Sequence, residues 1–109
     1  MSDLSGDRPR WSFDAEMFRW DSDGPGPSWR FIRLPVEMAD EIRAVAGQSR
    51  GFGSVRVIVR VGGTSWATSV FPEQATDSFL LPVKKSVRDA EGLDDGDVVS
   101  VELRLADLG

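Results

Sequence analysis

The amino-acid sequence predicts a small, mostly β domain: a closed or partly closed barrel with two short helices plugging or flanking it. Three observations carry this. Several stretches alternate apolar and polar residues with the period of two that marks a half-buried strand. Two segments break that rhythm with apolar residues at helical spacing, and each opens directly after a Leu-Pro pair, at Pro35 and at Pro82. The strands that follow these helices have matching inward sets: Val55, Val57, Val59 and Val61 in the first, and Val99, Val101, Leu103 and Leu105 in the second. Each half thus reads strand, Leu-Pro, helix, glycine turn, strand, a degenerate duplication of one strand–helix–strand unit.

The elements follow in order. Residues 1–10 are polar and read as a flexible tail, with a single barrel domain over 11–109. "WSFDAEMFRW" sets Trp11, Phe13, Ala15 and Met17 on one face, and Phe18 and Trp20 fall out of phase, which predicts a bulge or a strand end. "DSDGPGPS" is a loop, and "WRFIRL" a second strand stopped at Pro35. Over residues 36–46 a helix is expected to turn Val36, Ala39, Ile42, Val45 and Ala46 inward, with Gly47 as its stop. After the glycine-rich "GQSRGFGS", the strand "SVRVIVRV" points Arg56 and Arg60 outward; "GGTS" then turns the chain into "WATSVF", which Pro72 should end. "SFLL" precedes a helix of about two turns that buries Val83, Val87 and Ala90 and is closed by a left-handed Gly92 with Leu93 folded back. "DDGD" leads into the last strand, "VVSVELRL".

Composition bounds the function. A chain of 109 residues has room for one core, and no apolar run approaches the roughly 20 residues that span a bilayer. The polar N-terminus does not read as a secretory signal, and the absence of cysteine removes disulfides and thiolate metal sites, so a cytoplasmic protein is expected. There is no histidine and no tyrosine either, which removes the usual general base, the commonest metal ligand and a phenolic acid. No catalytic residue, no metal site and no cofactor is assigned, and the chain is not read as an enzyme. The net charge of −5 opposes bulk attraction to nucleic acid or anionic membrane. It is unevenly spread, with six acids in residues 1–27, seven in residues 89–109, and six Arg in residues 28–70.

Two resemblances sharpen the reading. "LLPVKKSVRDAEGLDDGDVVSVEL" resembles the half-barrel unit of the AbrB and MazE group of transcription regulators and antitoxins, in which two chains pool their units into one barrel. Across most of the chain, "FDAEMFRW", "WRFIRLP", "GFGSVRVIVRVGGTSWATSVFP" and "FLLPVKKSVRDAEGLDDGDVVSVEL" resemble, in order and spacing, the bacterial domain of unknown function 1905 family. That resemblance implies a double-split β-barrel, here with both half-units in one chain. A monomer then suffices to close it, and a dimer is compatible. It implies no established biochemical role.

The candidate site residues are Lys84, Lys85, Arg88, Arg56, Arg60, Trp66 and Ser69. Three cations at a helix start run against the helix dipole, a misfit relieved when an anion binds there; the plainer reading is a solvated basic face. Trp66 and Thr68 share one face of their strand and Ala67 and Ser69 the other, so Trp66 is either a stacking surface in a ligand cleft or a cap on the barrel. "SRGFGS" lacks the ending of a P-loop and reads as a turn, as do the acids Asp94 to Asp97, which have too few partners for a hard cation. Trp29, Phe31, Arg30 and Arg33 interleave aromatics with cations as a single-strand nucleic-acid face does, but in a small domain such aromatics are expected in the core. The expected function is therefore a cytoplasmic binding module that recognises an anionic small molecule or protein partner through a basic face. The alternative is an AbrB-like nucleic-acid-binding regulator.

Overall fold

The computed structural model describes residues 10–20, 29–46 and 53–106. Six strands and two helices appear: β1 (Arg10–Trp20), β2 (Trp29–Arg33), α1 (Val36–Ala46), β3 (Val55–Val61), β4 (Thr64–Glu73), β5 (Ser78–Pro82), α2 (Lys85–Glu91) and β6 (Val98–Leu105). The strands form one closed antiparallel barrel in the order β1-β2-β5-β4-β3-β6, as the duplication predicts. The expected tail, the loop at 21–28, the Gly47 stop and most of the glycine-rich loop lie outside the described residues. No described helix is long and apolar enough to cross a membrane.

The interior is the set that alternation selects. Val55, Val57, Val59 and Val61 of β3 and Val99, Val101, Leu103 and Leu105 of β6 are all buried, facing Trp11, Phe13 and Met17 of β1. β-branched residues suit a pleated, half-buried surface, and here they supply most of the wall. β1 and β4 each divide their pairing. The first part of β1 pairs with β6 and its end with β2. Most of β4 pairs with β3 and its end with β5. Two splits result, and a helix attends each. Trp11 Nε1–H donates to Glu41 Oε1 of α1 at 2.8 Å, and α2 packs against β4, where Thr64 Oγ1–H donates to Glu91. Gly62, left-handed at φ 58°, turns β3 into β4 where any side chain would collide with Glu91.

The duplication is one strand longer than the repeat read from sequence. Val59 lies opposite Leu103 where β3 meets β6, and Arg33 opposite Leu80 where β2 meets β5. Treating the members of each pair as counterparts, exchange of the halves carries pairings onto pairings. Trp11↔Leu103 becomes Trp66↔Val59; Phe13↔Val101 becomes Thr68↔Val57; Met17↔Ile32 becomes Pro72↔Phe79. The repeated unit is therefore β1-β2-α1-β3 and β4-β5-α2-β6, arranged about an internal two-fold.

Several expectations are corrected. β1 runs unbroken from Arg10 to Trp20, so Phe18 and Trp20 mark no bulge or strand end; they occupy the outer face of a continuous strand. Pro72 does not end β4, because β3 stops pairing with β4 at Val70 and beyond it the strand has an open side that tolerates proline. In α1 the buried stripe is Ala39 and Ile42 with Met38 packed beside them, while Val36 and Val45 are exposed. Ala90 is exposed as well, since α2 ends one residue later and only Val87 of its expected set lies within the helix and buried. Gly92 does close α2 in the left-handed region, with Leu93 N–H donating to Arg88 O and its side chain against the core.

Leu103→Ala, which opens a cavity at the internal two-fold, is expected to cost about 2–5 kcal/mol in urea unfolding. Ser65→Ala, on the outer face of the adjoining strand, should stay within about 0.5 kcal/mol of the wild type in the same measurement.

Candidate functional site

Strand register decides which of the predicted site residues meet. The outward residues of β3 are Arg56, Ile58 and Arg60, and those of β6 include Glu102 and Arg104. Register places Arg56 beside Ser69, Arg60 between Ser65 and Glu102, and Arg104 between Ile58 and Arg10. Four arginines, Arg10, Arg56, Arg60 and Arg104, thus share the outer face of one sheet. Among the described residues none of them has an ion-pair partner. Arg60 turns its Nε–H to Gly62 O at 3.2 Å rather than to the neighbouring Glu102. A shallow hollow of about 250 Å³ runs over this face, lined by Arg10, Ile58, Arg60, Ser65, Glu102 and Arg104. Ile58 gives it an apolar contribution, and beside the Glu102 carboxylate it is lined by guanidinium groups, the donors that suit planar carboxylates and phosphates.

The cations of α2 divide differently. Lys85 pairs with Asp89 one turn on at 2.7 Å, and Arg88 Nε–H donates to Val83 O at 3.2 Å, so both serve their own helix. Lys84 stands at the helix start in extended conformation, exposed; its carbonyl accepts from Val87 and Arg88 N–H, and its side chain has no ion-pair or hydrogen-bond partner among the described residues. The three do not converge on one anion. The hollow beside Lys84 holds neither Arg56 nor Arg60, and the hollow at Arg60 holds no residue of α2.

Trp66 and Ser69 also separate. Trp66 points inward opposite Val59 and is buried, whereas Ser69 is on the outer face beside Arg56. What Trp66 does share is a smaller hollow, about 180 Å³, with Trp29, Thr68, Pro82, Val83 and Lys84. It lies at the split where β4 and β5 cease to pair. Asp94 to Asp97 form a turn, in which Asp94 N–H donates to Asp97 Oδ2 and Asp97 N–H to Asp94 O.

Sequence reasoning misplaced one cluster. Trp29 and Phe31 are not core: the inward residue of β2 is Ile32, opposite Met17, which leaves its neighbours outside. Trp29 is 60% exposed and Trp20 46%, and with Phe18 and Phe31 they form an aromatic patch on the outer wall. Trp29 stacks on Phe31 at 6.2 Å, and Trp20 meets Phe31 edge-on at 6.0 Å. Strict alternation counted onward from Met17 puts Phe18 and Trp20 outside, whereas the outward placing of Trp29 and Phe31 follows from the pairing of β2 with β1. The cations interleaved with these rings are engaged. Arg33 forks onto Glu73 while lying 4.8 Å over the Phe18 ring, and Arg30 pairs with Asp95.

With this geometry in hand, comparison with known families gives a match between residues 13–103 and the domain of unknown function 1905 family. The chain belongs to that family. No curated protein matches it.

The Arg33–Glu73 fork carries a pH signature. The hydrogen bond from Arg33 lowers the Glu73 pKa, helped by a hydrogen bond from Thr76 and opposed by burial. A carboxylate depressed on folding contributes stability above its unfolded value near 4.3, and loses it as pH falls through the lower folded value. Glu73→Gln should therefore destabilise by roughly 1 kcal/mol or less at neutral pH, with the gap closing below the ordinary Glu range in urea unfolding across pH.

Proposed function

We propose that the chain is a binding module that recognises an anionic partner, a carboxylate- or phosphate-bearing small molecule or protein segment, through the arginine face of β1, β3 and β6. One observation carries this: Arg10, Arg56, Arg60 and Arg104 share one sheet face without an ion-pair partner among the described residues, in a protein of net charge −5. Surface arginines without an ion-pair partner create a local positive potential that an anion lowers. Ser65 and Ser69 stand beside them as neutral donors. A binding role agrees with a residue inventory without histidine, cysteine or tyrosine, and the cytoplasm is the compartment this reading assumes.

The alternative, an AbrB-like nucleic-acid-binding regulator, draws on the same arginines. Phosphate contacts from four guanidinium groups would supply affinity without sequence information. The net charge works against it, because the rest of the surface repels a polyanion.

An amide NMR titration at low salt, with an acidic peptide in one arm and a mixed-sequence DNA duplex in the other, tests the proposal. Shifts should cluster on Arg56, Arg60 and Arg104 in the peptide arm and fade as salt rises. Replacing both Arg60 and Arg104 by Ala should weaken binding about tenfold or more. A silent arginine face in both arms would overturn the proposal. A tighter, steeply salt-dependent response to the duplex would replace it with the nucleic-acid reading.

A further inference from the structure

The internal two-fold allows the two splits of the barrel to be compared residue by residue. In the first split, Trp11 donates its indole N–H to Glu41 of α1, and Phe13, two residues on along the same face, is buried. In the second split their counterparts are Trp66 and Thr68. A phenyl ring is thus replaced by a threonine, and the eleven-residue α1 by the seven-residue α2. At this second split lies the hollow of about 180 Å³, lined by Trp66 and Thr68 among others.

Two polar facts distinguish this hollow from a packing defect. Trp66 is buried, 9% exposed, yet its indole N–H has no hydrogen-bond partner among the described residues, unlike that of its counterpart Trp11. Buried indole donors are normally satisfied. The ammonium group of Lys84, which lines the same hollow, has no partner among the described residues either, and Thr68 adds a hydroxyl with none. Trp66, Thr68 and Lys84, each carrying a donor group, line the space together with Trp29, Ala67, Pro82 and Val83, and no acidic residue does. The volume is close to the cavity of about 150 Å³ that accommodates a benzene ring.

We propose that this hollow is a binding site for a monocyclic aromatic carboxylate, with the ring against Trp29, Trp66 and Val83 and the carboxylate accepting from Lys84, Thr68 and the Trp66 indole. The site is separate from the arginine face and stands or falls independently of it. Ring burial supplies the apolar contribution, and the carboxylate satisfies the orphaned indole donor while neutralising Lys84.

Titration of the full chain with benzoate, followed by indole and amide NMR, tests this. Benzoate should shift the Trp66 indole N–H and the Lys84 amide saturably, and acetate, which lacks the ring, should not. Thr68→Phe copies the first split; it should melt no lower than the wild type and lose the benzoate response. Lys84→Met, at an exposed position, should weaken benzoate about tenfold or more. Undiminished binding in both variants, or no saturable shift at Trp66, would overturn the proposal. So would shifts confined to Arg56, Arg60 and Arg104, an outcome that assigns the carboxylate to the arginine face and leaves the proposed function intact.

Discussion

The antiparallel join of β3 to β6 is the contact on which the rest of the structure depends. It ties the first half of the chain to the second, with Val59 opposite Leu103 at the internal two-fold. Without it the barrel would open into a sheet bounded by two valine-rich edges, each a row of unpaired backbone groups. With it, the buried rows of β3 and β6 form one continuous wall, against which β1 and β4 place their tryptophans from either side. Closure fixes register, and register decides which face of each strand sees water.

The internal two-fold is kept better inside the barrel than outside it. Trp11 matches Trp66 and Ala15 matches Val70, because both halves must fill the same interior. Outside, several counterparts differ, as Phe18 from Glu73 and Asp14 from Ser69, although Arg60 and Arg104 do correspond. Packing constrains volume and polarity within the barrel, whereas solvent accepts almost any side chain. Departures from symmetry therefore point to where the two halves have taken different tasks. The aromatic patch is a surface departure of this kind, whereas in the arginine face Arg60 and Arg104 remain counterparts. Thr68 in place of Phe13 is an interior one.

The aromatic patch and the arginine face also show how the protein handles charge near apolar surface. Arg33 and Arg30, flanking the aromatic rings, are paired with Glu73 and Asp95, which leaves that wall close to neutral. On the opposite sheet Glu102 stands beside Arg60 in register, yet Arg60 turns to Gly62 O and no ion pair forms between them.

Much of the architecture was legible in the sequence because alternation and helical spacing are local properties. The strands, both helices, the Gly92 cap and the matching inward sets of β3 and β6 follow from residues within one segment. The duplication was visible for the same reason, though one strand short, since the correspondence of Trp11 with Trp66 exists only in the pairing of distant strands. Tertiary structure alone decided the rest. It separated Trp66 from Ser69 and the α2 cations from Arg56 and Arg60. It brought Arg10 and Arg104 into the arginine face, where composition had given no reason to include them. It also turned Trp29 and Phe31 outward and set Thr68 beside Lys84. Each of these depends on which strand lies next to which and in what register, and that is settled by closing the barrel rather than by any stretch of sequence read alone.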